Sequence, residues 1–386
     1  MSESRAFWAI YLCVGISYLG VGLVAPLIAI VLAGRGENSL TVGLIGTTTF
    51  TAFTLASFPL GALTDRVGPK TILIWGLVVY GLSILTFAFI RSTGLFFLVR
   101  AVEGVGAAGI SVATETMINW LSAPGERARR MSYYALAVGL GWAAGPLTGA
   151  LLFKVTPAVP FIACFVFSVV AAALALAIVP KTGSGPHSVK GLLSVFSVQL
   201  LAPIAAGGIY GYLMSSLVTL FPLYLTAELK TPGTAMGTII TAVIIGTIAS
   251  QVPIGKAADK FGKGLVLLIS AVLLGVFFII LSMQTDWRGV VPVAGIIGAL
   301  GGTLYPVGLS IIGGSVPRQR LGSATSLFSL SFGIGSLIGP AASGSAMTAD
   351  PKWLFYLPAL LSWCFALALI GLRRFIGLRH QPETAD

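Results

Sequence analysis

Charge is what this sequence has least of. Only 9% of its 386 residues are Asp, Glu, Lys or Arg, against about a quarter in a soluble globular domain. No stretch is long and polar enough to form an attached soluble domain. Histidine is almost missing: His187 and His380 lie in polar segments. An enzyme built into the membrane needs His, Asp or Cys clustered within its spans, so catalysis is a remote reading, and no metal or cofactor is expected. The three cysteines, Cys13, Cys164 and Cys364, sit singly in apolar runs and form no CxxC. Neither a disulfide framework nor a thiolate metal site follows from such spacing.

What is present is apolar: 56% of the residues are hydrophobic. A span needs about 20 mostly apolar residues. Twelve such runs can be marked, at 6–33, 40–61, 71–90, 95–121, 131–154, 157–179, 191–226, 234–255, 264–284, 289–314, 321–347 and 352–372. Lipid tolerates no unsatisfied backbone, so the runs are expected to be helices. The first is too long for a signal segment and reads as an uncleaved span. The seventh exceeds one span, so part of it is expected to lie along the membrane interface. A Gly-, Pro- and Ser-rich connector divides the chain into residues 1–180, a linker at 181–190 and residues 191–386.

The net charge of +11 comes from cations in short loops. That pattern is a topology signal rather than a nucleic-acid surface. With the amino terminus inside, sixteen of the 23 Lys and Arg fall on the inner face and six on the outer, while Arg100 lies within a run. Both termini are therefore expected in the cytoplasm, in an inner (plasma) membrane protein.

The two halves repeat. Gly61, Asp65 and Gly68 return as Gly255, Asp259 and Gly262, at a constant offset of 255 − 61 = 194 residues. Gly141, Gly145 and Pro146 return as Gly335, Gly339 and Pro340 at the same offset. Parallel halves of this kind are a recurring transporter design. The first pattern reads as a turn whose glycines allow close approach and positive φ, with the acidic residue able to cap a helix N-terminus. Its plainer reading is a charged loop that fixes topology. In the second, small residues spaced i, i+4 (Gly141, Gly145, Gly149) let helices touch, which is ordinary packing, and Pro146 kinks the helix.

Gly61-x-x-x-Asp65-Arg66-x-Gly68-x-Lys70 resembles the signature loop of the major facilitator superfamily, with Pro69 replacing the usual basic residue. The resemblance extends over essentially the whole chain. It implies an all-α integral membrane fold of twelve transmembrane helices in two pseudo-symmetric six-helix bundles, working by rocking-bundle alternating access. It also implies that the loop is a latch, made here of Gly61, Asp65, Arg66, Gly68 and Lys70, echoed by Gly255, Asp259 and Gly262. The Gly141–Pro146–Gly149 pattern is similar to the family's antiporter motif, which implies export ahead of import. Arg100-x-x-x-Gly104-x-Gly106 is similar to its span-four motif, whose Arg is linked to proton coupling. The stretch from Glu115 to Leu121 resembles a bacterial efflux branch, drug:proton antiporter-like.

Arg100, Glu103 and Glu115 are the ionisable side chains placed well inside a span, all on the fourth. Intramembrane charges are expensive and mark functional sites by default. The repeat partners are Ala294, Ile297 and Leu309, so the second half lacks all three charges. Arg100 and Glu103, at i and i+3, can pair. Arg100 could instead snorkel to the outer surface, and Glu103 could be either its counter-ion or a proton carrier. Glu115 lies about 22 Å along the helix from Arg100 and is expected to pair with Arg66 or Lys70 in the latch. Tyr18, Gln251 and Tyr305 are candidate cavity-lining residues, and Tyr305-Pro306 is expected to break the tenth span.

Together these features point to a secondary transporter, read as a monomer, that exports a small amphipathic or drug-like solute against protons. An importer or facilitator of a specific, possibly anionic, metabolite is the alternative. A membrane enzyme and a non-transporting receptor are remote alternatives.

Overall fold

The computed structural model describes residues 3–122, 126–180, 198–316 and 321–371. Among them the regular elements are twelve α-helices. In order they are α1 (Glu3–Ala33), α2 (Ser39–Val67), α3 (Pro69–Phe87), α4 (Thr93–Leu121), α5 (Arg127–Phe153) and α6 (Val159–Ile178). The second half continues with α7 (Val198–Ala227), α8 (Gly233–Phe261), α9 (Lys263–Ser282), α10 (Trp287–Ser315), α11 (Leu321–Ala346) and α12 (Trp353–Gly371). All twelve are long and apolar enough to cross a membrane. The linker at 181–190 and the expected interfacial stretch at the start of the seventh run lie outside the described residues.

Several helices outrun their apolar stretches. α2 and α8 each hold 29 residues, about 44 Å of helix against a hydrocarbon core of about 30 Å. Continuing the helix keeps its backbone groups paired while the polar ends reach the headgroups. Asp65 and Arg66 therefore belong to the last turn of α2 rather than to a loop. α3 begins at Pro69, and its N-cap Gly68 has no side chain to cap it. α10 likewise runs unbroken from Trp287 to Ser315 with Pro292 and Pro306 inside it. The interruption expected at Tyr305-Pro306 does not occur, because a missing N–H removes one bond without ending a buried helix.

The two repeated turns share one backbone shape. Gly68 has φ 86° and ψ 145°, and Gly262 has φ 95° and ψ 133°. That region is all but closed to residues with a Cβ. Gly61 and Gly255, by contrast, have open space where a side chain would project. The turn therefore requires only the last glycine of each motif.

The chain packs as two units. The first contains the described residues of Met1–Ser188 together with Val218–Thr241; the second contains those of Val189–Leu217 and Ala242–Asp386. In the first, α5 lies backbone to backbone on α1. A Cβ on Gly141 would come within 2.7 Å of the Gly15 carbonyl oxygen, and one on Gly145 within 2.6 Å of Gly22 Cα. In the second, Gly335 of α11 meets Gly208 of α7 in the same way. The Val218–Thr241 segment joins the first unit through specific contacts. Thr219 packs on Gly46 of α2, Gly237 sits against the Pro146 carbonyl of α5, and Thr241 Oγ1 donates to the Ala143 carbonyl at 3.0 Å.

Candidate functional site

The chemistry of the first unit is concentrated on α4. Arg100 Nη1 donates to Glu103 Oε2 at 2.7 Å and to Oε1 at 3.0 Å. The spacing i, i+3 puts both on one helical face. Arg100 is 7% exposed and Glu103 6%, so this is a buried pair and Arg100 does not snorkel outward. Arg100 Nε has no hydrogen-bond partner among the described residues. The guanidinium borders a small, mostly apolar pocket lined by Ile28, Val42, Ile45 and Thr219. Arg100 and Glu103 thus form a buried charge pair that leaves the Arg100 Nε donor without a partner among the described residues.

Glu115 lies on the same helix, partly exposed. Ser111 Oγ donates to its Oε1 at 2.8 Å, and the Tyr134 hydroxyl of α5 makes a longer contact of 3.5 Å to the same oxygen. Tyr18 of α1 faces the same cluster of Ser111, Glu115 and Tyr134. The expected pairing of Glu115 with Arg66 or Lys70 is not formed. Lys70 Nζ instead donates to the Val179 and Leu176 carbonyls at 2.7 and 2.9 Å, at the end of α6. A cation there satisfies carbonyls that the helix leaves open and meets the negative end of its dipole. Arg66 is exposed.

In the second unit the repeat of this region carries no charge. Aromatic rings gather there instead. Tyr305 of α10 lies 5.5 Å from Tyr210 of α7, and 4.9 and 5.8 Å from Phe328 and Phe332 of α11, ring centre to ring centre. Edge-to-face and tilted contacts of this kind suit the ring quadrupoles. Tyr210 also borders an apolar pocket with Leu213, Met214, Thr247 and Phe278. Gln251 is exposed and has no described polar contact.

The structure therefore brings Arg100 together with Glu103, and Tyr18 together with Glu115, while Tyr305 joins an aromatic group and Gln251 joins neither. Ser111 and Tyr134 went unrecognised in the sequence. The i, i+4 spacing of Ser111 and Glu115 was a usable signal; nothing local pointed to Tyr134, which depends on how α5 is set against α4. Phe328 and Phe332 were missed because aromatic residues are common in any membrane span.

The sequence matches the profile of the Major Facilitator Superfamily over residues 10–224 and again over 203–385. The chain belongs to this superfamily. It is similar to the uncharacterized MFS-type transporter YfkF of Bacillus subtilis, with 30% identity and 94% of each chain covered. Among solved structures it is similar in fold to the nucleoside transporter NupG, with a TM-score of 0.82 at 12% identity, covering 95% of this chain and 99% of that one. It is also similar to a bacterial homologue of the human lysosomal transporter Spinster, with a TM-score of 0.81 at 12% identity, covering 98% of each. This superfamily member is thus a secondary transporter, not an enzyme, and a multi-pass membrane protein of twelve spans. A transporter of this kind has a small-molecule substrate and a lipid bilayer as its partners.

Proposed function

We propose that this superfamily transporter exports a small amphipathic or drug-like solute in exchange for protons, by alternating access. The observation that carries the reading is the buried Arg100–Glu103 pair at 2.7 Å, which has no counterpart in the second half. A proton-coupled cycle needs a group that is charged in one state and neutral in another. While Arg100 holds Glu103, the carboxylate stays ionised. When Arg100 turns to another partner, burial favours the neutral acid and Glu103 takes up a proton. The donor left over on Arg100 is where a substrate's polar group would compete for it. Both termini face the cytoplasm in this reading, the membrane is the inner or plasma membrane, and the working unit is a monomer.

The unpartnered Arg100 Nε also favours a second reading, a facilitator or importer of an anionic metabolite drawn to that guanidinium. One experiment separates the two. A thermal-shift screen of amphipathic cations and of anionic metabolites picks a hit, and flux of that hit is measured in proteoliposomes with and without a set pH gradient. Concentrative movement of an amphipathic solute driven by the gradient supports proton-coupled export. Gradient-independent, purely downhill movement of an anion supports the second reading and overturns the first.

A further inference from the structure

The amino-terminal turns of α1 and α5 meet in a cluster that the transport reading does not use. α5 opens with Arg127, Arg129 and Arg130. Cations at the positive end of the helix dipole weaken a helix rather than support it, so helix stability does not explain them. Glu126 accepts from Arg129 Nη2 at 2.6 Å and from Arg130 Nη2 at 3.2 Å. One carboxylate thus serves two guanidiniums, and these three side chains keep an excess of one positive charge. Each Arg uses one nitrogen on Glu126, and Arg130 Nε has no partner among the described residues. Contacts with α1 hold Arg130 in place. Its Cζ lies 4.1 Å from the centre of the Phe7 ring, and its backbone carbonyl accepts the Tyr11 hydroxyl at 3.0 Å. Arg129 reaches outward, with 59% of its side chain exposed.

An aromatic surface adjoins these cations. Trp8 of α1 and Tyr133 of α5 flank the buried Tyr11, at 6.0 and 6.1 Å ring centre to ring centre. Trp8 is 68% exposed and Tyr133 47%. Exposed Trp and Tyr at the end of a span sit at headgroup depth, which sets the guanidiniums among lipid phosphates. A phosphate accepts two parallel N–H bonds from a guanidinium, and the exposed pairing with Glu126 is weak enough to share those donors. Charge decides the class of lipid. A headgroup of net charge −1 neutralises the excess, whereas a zwitterionic one brings its own cation beside two guanidiniums. We propose that this corner between α1 and α5 binds an anionic phospholipid, its phosphate on Arg129 and Arg130 and its acyl chain against Trp8 and Tyr133. In the orientation proposed above, that lipid belongs to the cytoplasmic leaflet, where basic pockets between spans take anionic headgroups. The site is independent of substrate, direction and proton coupling.

Native mass spectrometry of the purified, delipidated full-length transporter counts bound lipids directly. Phosphatidylglycerol and phosphatidylcholine with identical acyl chains are added at equal concentration. Wild type is expected to retain phosphatidylglycerol in preference to phosphatidylcholine, and a large excess of inorganic phosphate is expected to leave it bound. Arg129→Gln is expected to weaken that retention about five-fold. Arg129→Gln combined with Arg130→Gln is expected to abolish the preference; the single variant, at an exposed side chain, keeps the test available where the double one fails to fold. Arg288→Gln removes another exposed Arg beside a Trp ring, 5.1 Å from Trp287, and is expected to change nothing. Equal retention of the two lipids by wild type, an unchanged preference in Arg129→Gln, or an equal loss in Arg288→Gln overturns the assignment. Displacement of the lipid by inorganic phosphate also overturns it, and assigns the cluster to a free anion instead.

Discussion

At the scale of single residues, the two members of the α4 pair have unequal expected phenotypes. Glu103→Gln keeps the volume and a hydrogen-bond acceptor but cannot lose or gain a proton. It is expected to abolish gradient-driven accumulation while preserving downhill exchange, measured as flux of the screened hit in proteoliposomes. Arg100→Ala leaves a buried carboxylate without its cation, a loss that costs about 3–5 kcal/mol in comparable pairs. It is expected to impair both kinds of flux and to lower the melting temperature. Unchanged accumulation in Glu103→Gln would reduce Glu103 to a counter-ion of Arg100. Lys70 belongs to a different class. Its ammonium closes the end of α6, so Lys70→Met is expected to cost about 1 kcal/mol of stability, seen as a lower melting temperature with flux retained. Sequence alone placed Arg100 and Glu103 together, because their spacing on one helix decides it. It misplaced Lys70 and Glu115, because the register between neighbouring helices decides which loop residue reaches which partner, and no local pattern encodes it.

At the scale of helices and their connections, the glycines sort by what they do. Gly68 and Gly262 hold positive φ in matching turns. Gly68→Ala is expected to cost about 1–3 kcal/mol. Gly61→Ala, which meets open space, is expected to change stability by less than about 0.5 kcal/mol. Thermal denaturation of the two variants side by side checks the contrast, and equal losses would contradict it. The α1–α5 seam is less forgiving. A side chain at Gly145 would be forced into the backbone of Gly22, so Gly145→Leu is expected to yield aggregated protein on size exclusion. The repeat itself was readable in the sequence because glycine and proline positions survive at a fixed offset. The continuity of α10 was not readable, because a proline signals a break equally in a loop and in a helix whose neighbours keep it intact.

At the scale of the whole molecule, the sixteen-to-six bias of cations leads to an expectation about orientation. A cysteine introduced at Ser188, which lies outside the described residues, is expected to resist an impermeant maleimide in intact cells lacking other thiols on the protein. Ready labelling would reverse the proposed topology. The latch reading of Asp65 is tested separately, by electron–electron resonance distances between the cytoplasmic ends of the two halves. Asp65→Asn is expected to redistribute those distances, and an unchanged distribution counts against a latch. The twelve-span fold was legible from composition and repeat alone, because lipid leaves the backbone so few choices.

The assignment of Val218–Thr241 to the first packing unit has a mechanical consequence. α7 and α8 are each one continuous helix, yet each has one stretch in either unit. The alternating access proposed for this transporter requires its two halves to rock against one another. Two rods clamped at both ends cannot follow that motion rigidly. Either they flex near Leu217–Val218 and Thr241–Ala242, or the grips of Thr219 on Gly46 and of Thr241 on the Ala143 carbonyl must let go in each cycle. The turnover of this transporter would then be paced by two helices that serve as its springs or its clasps.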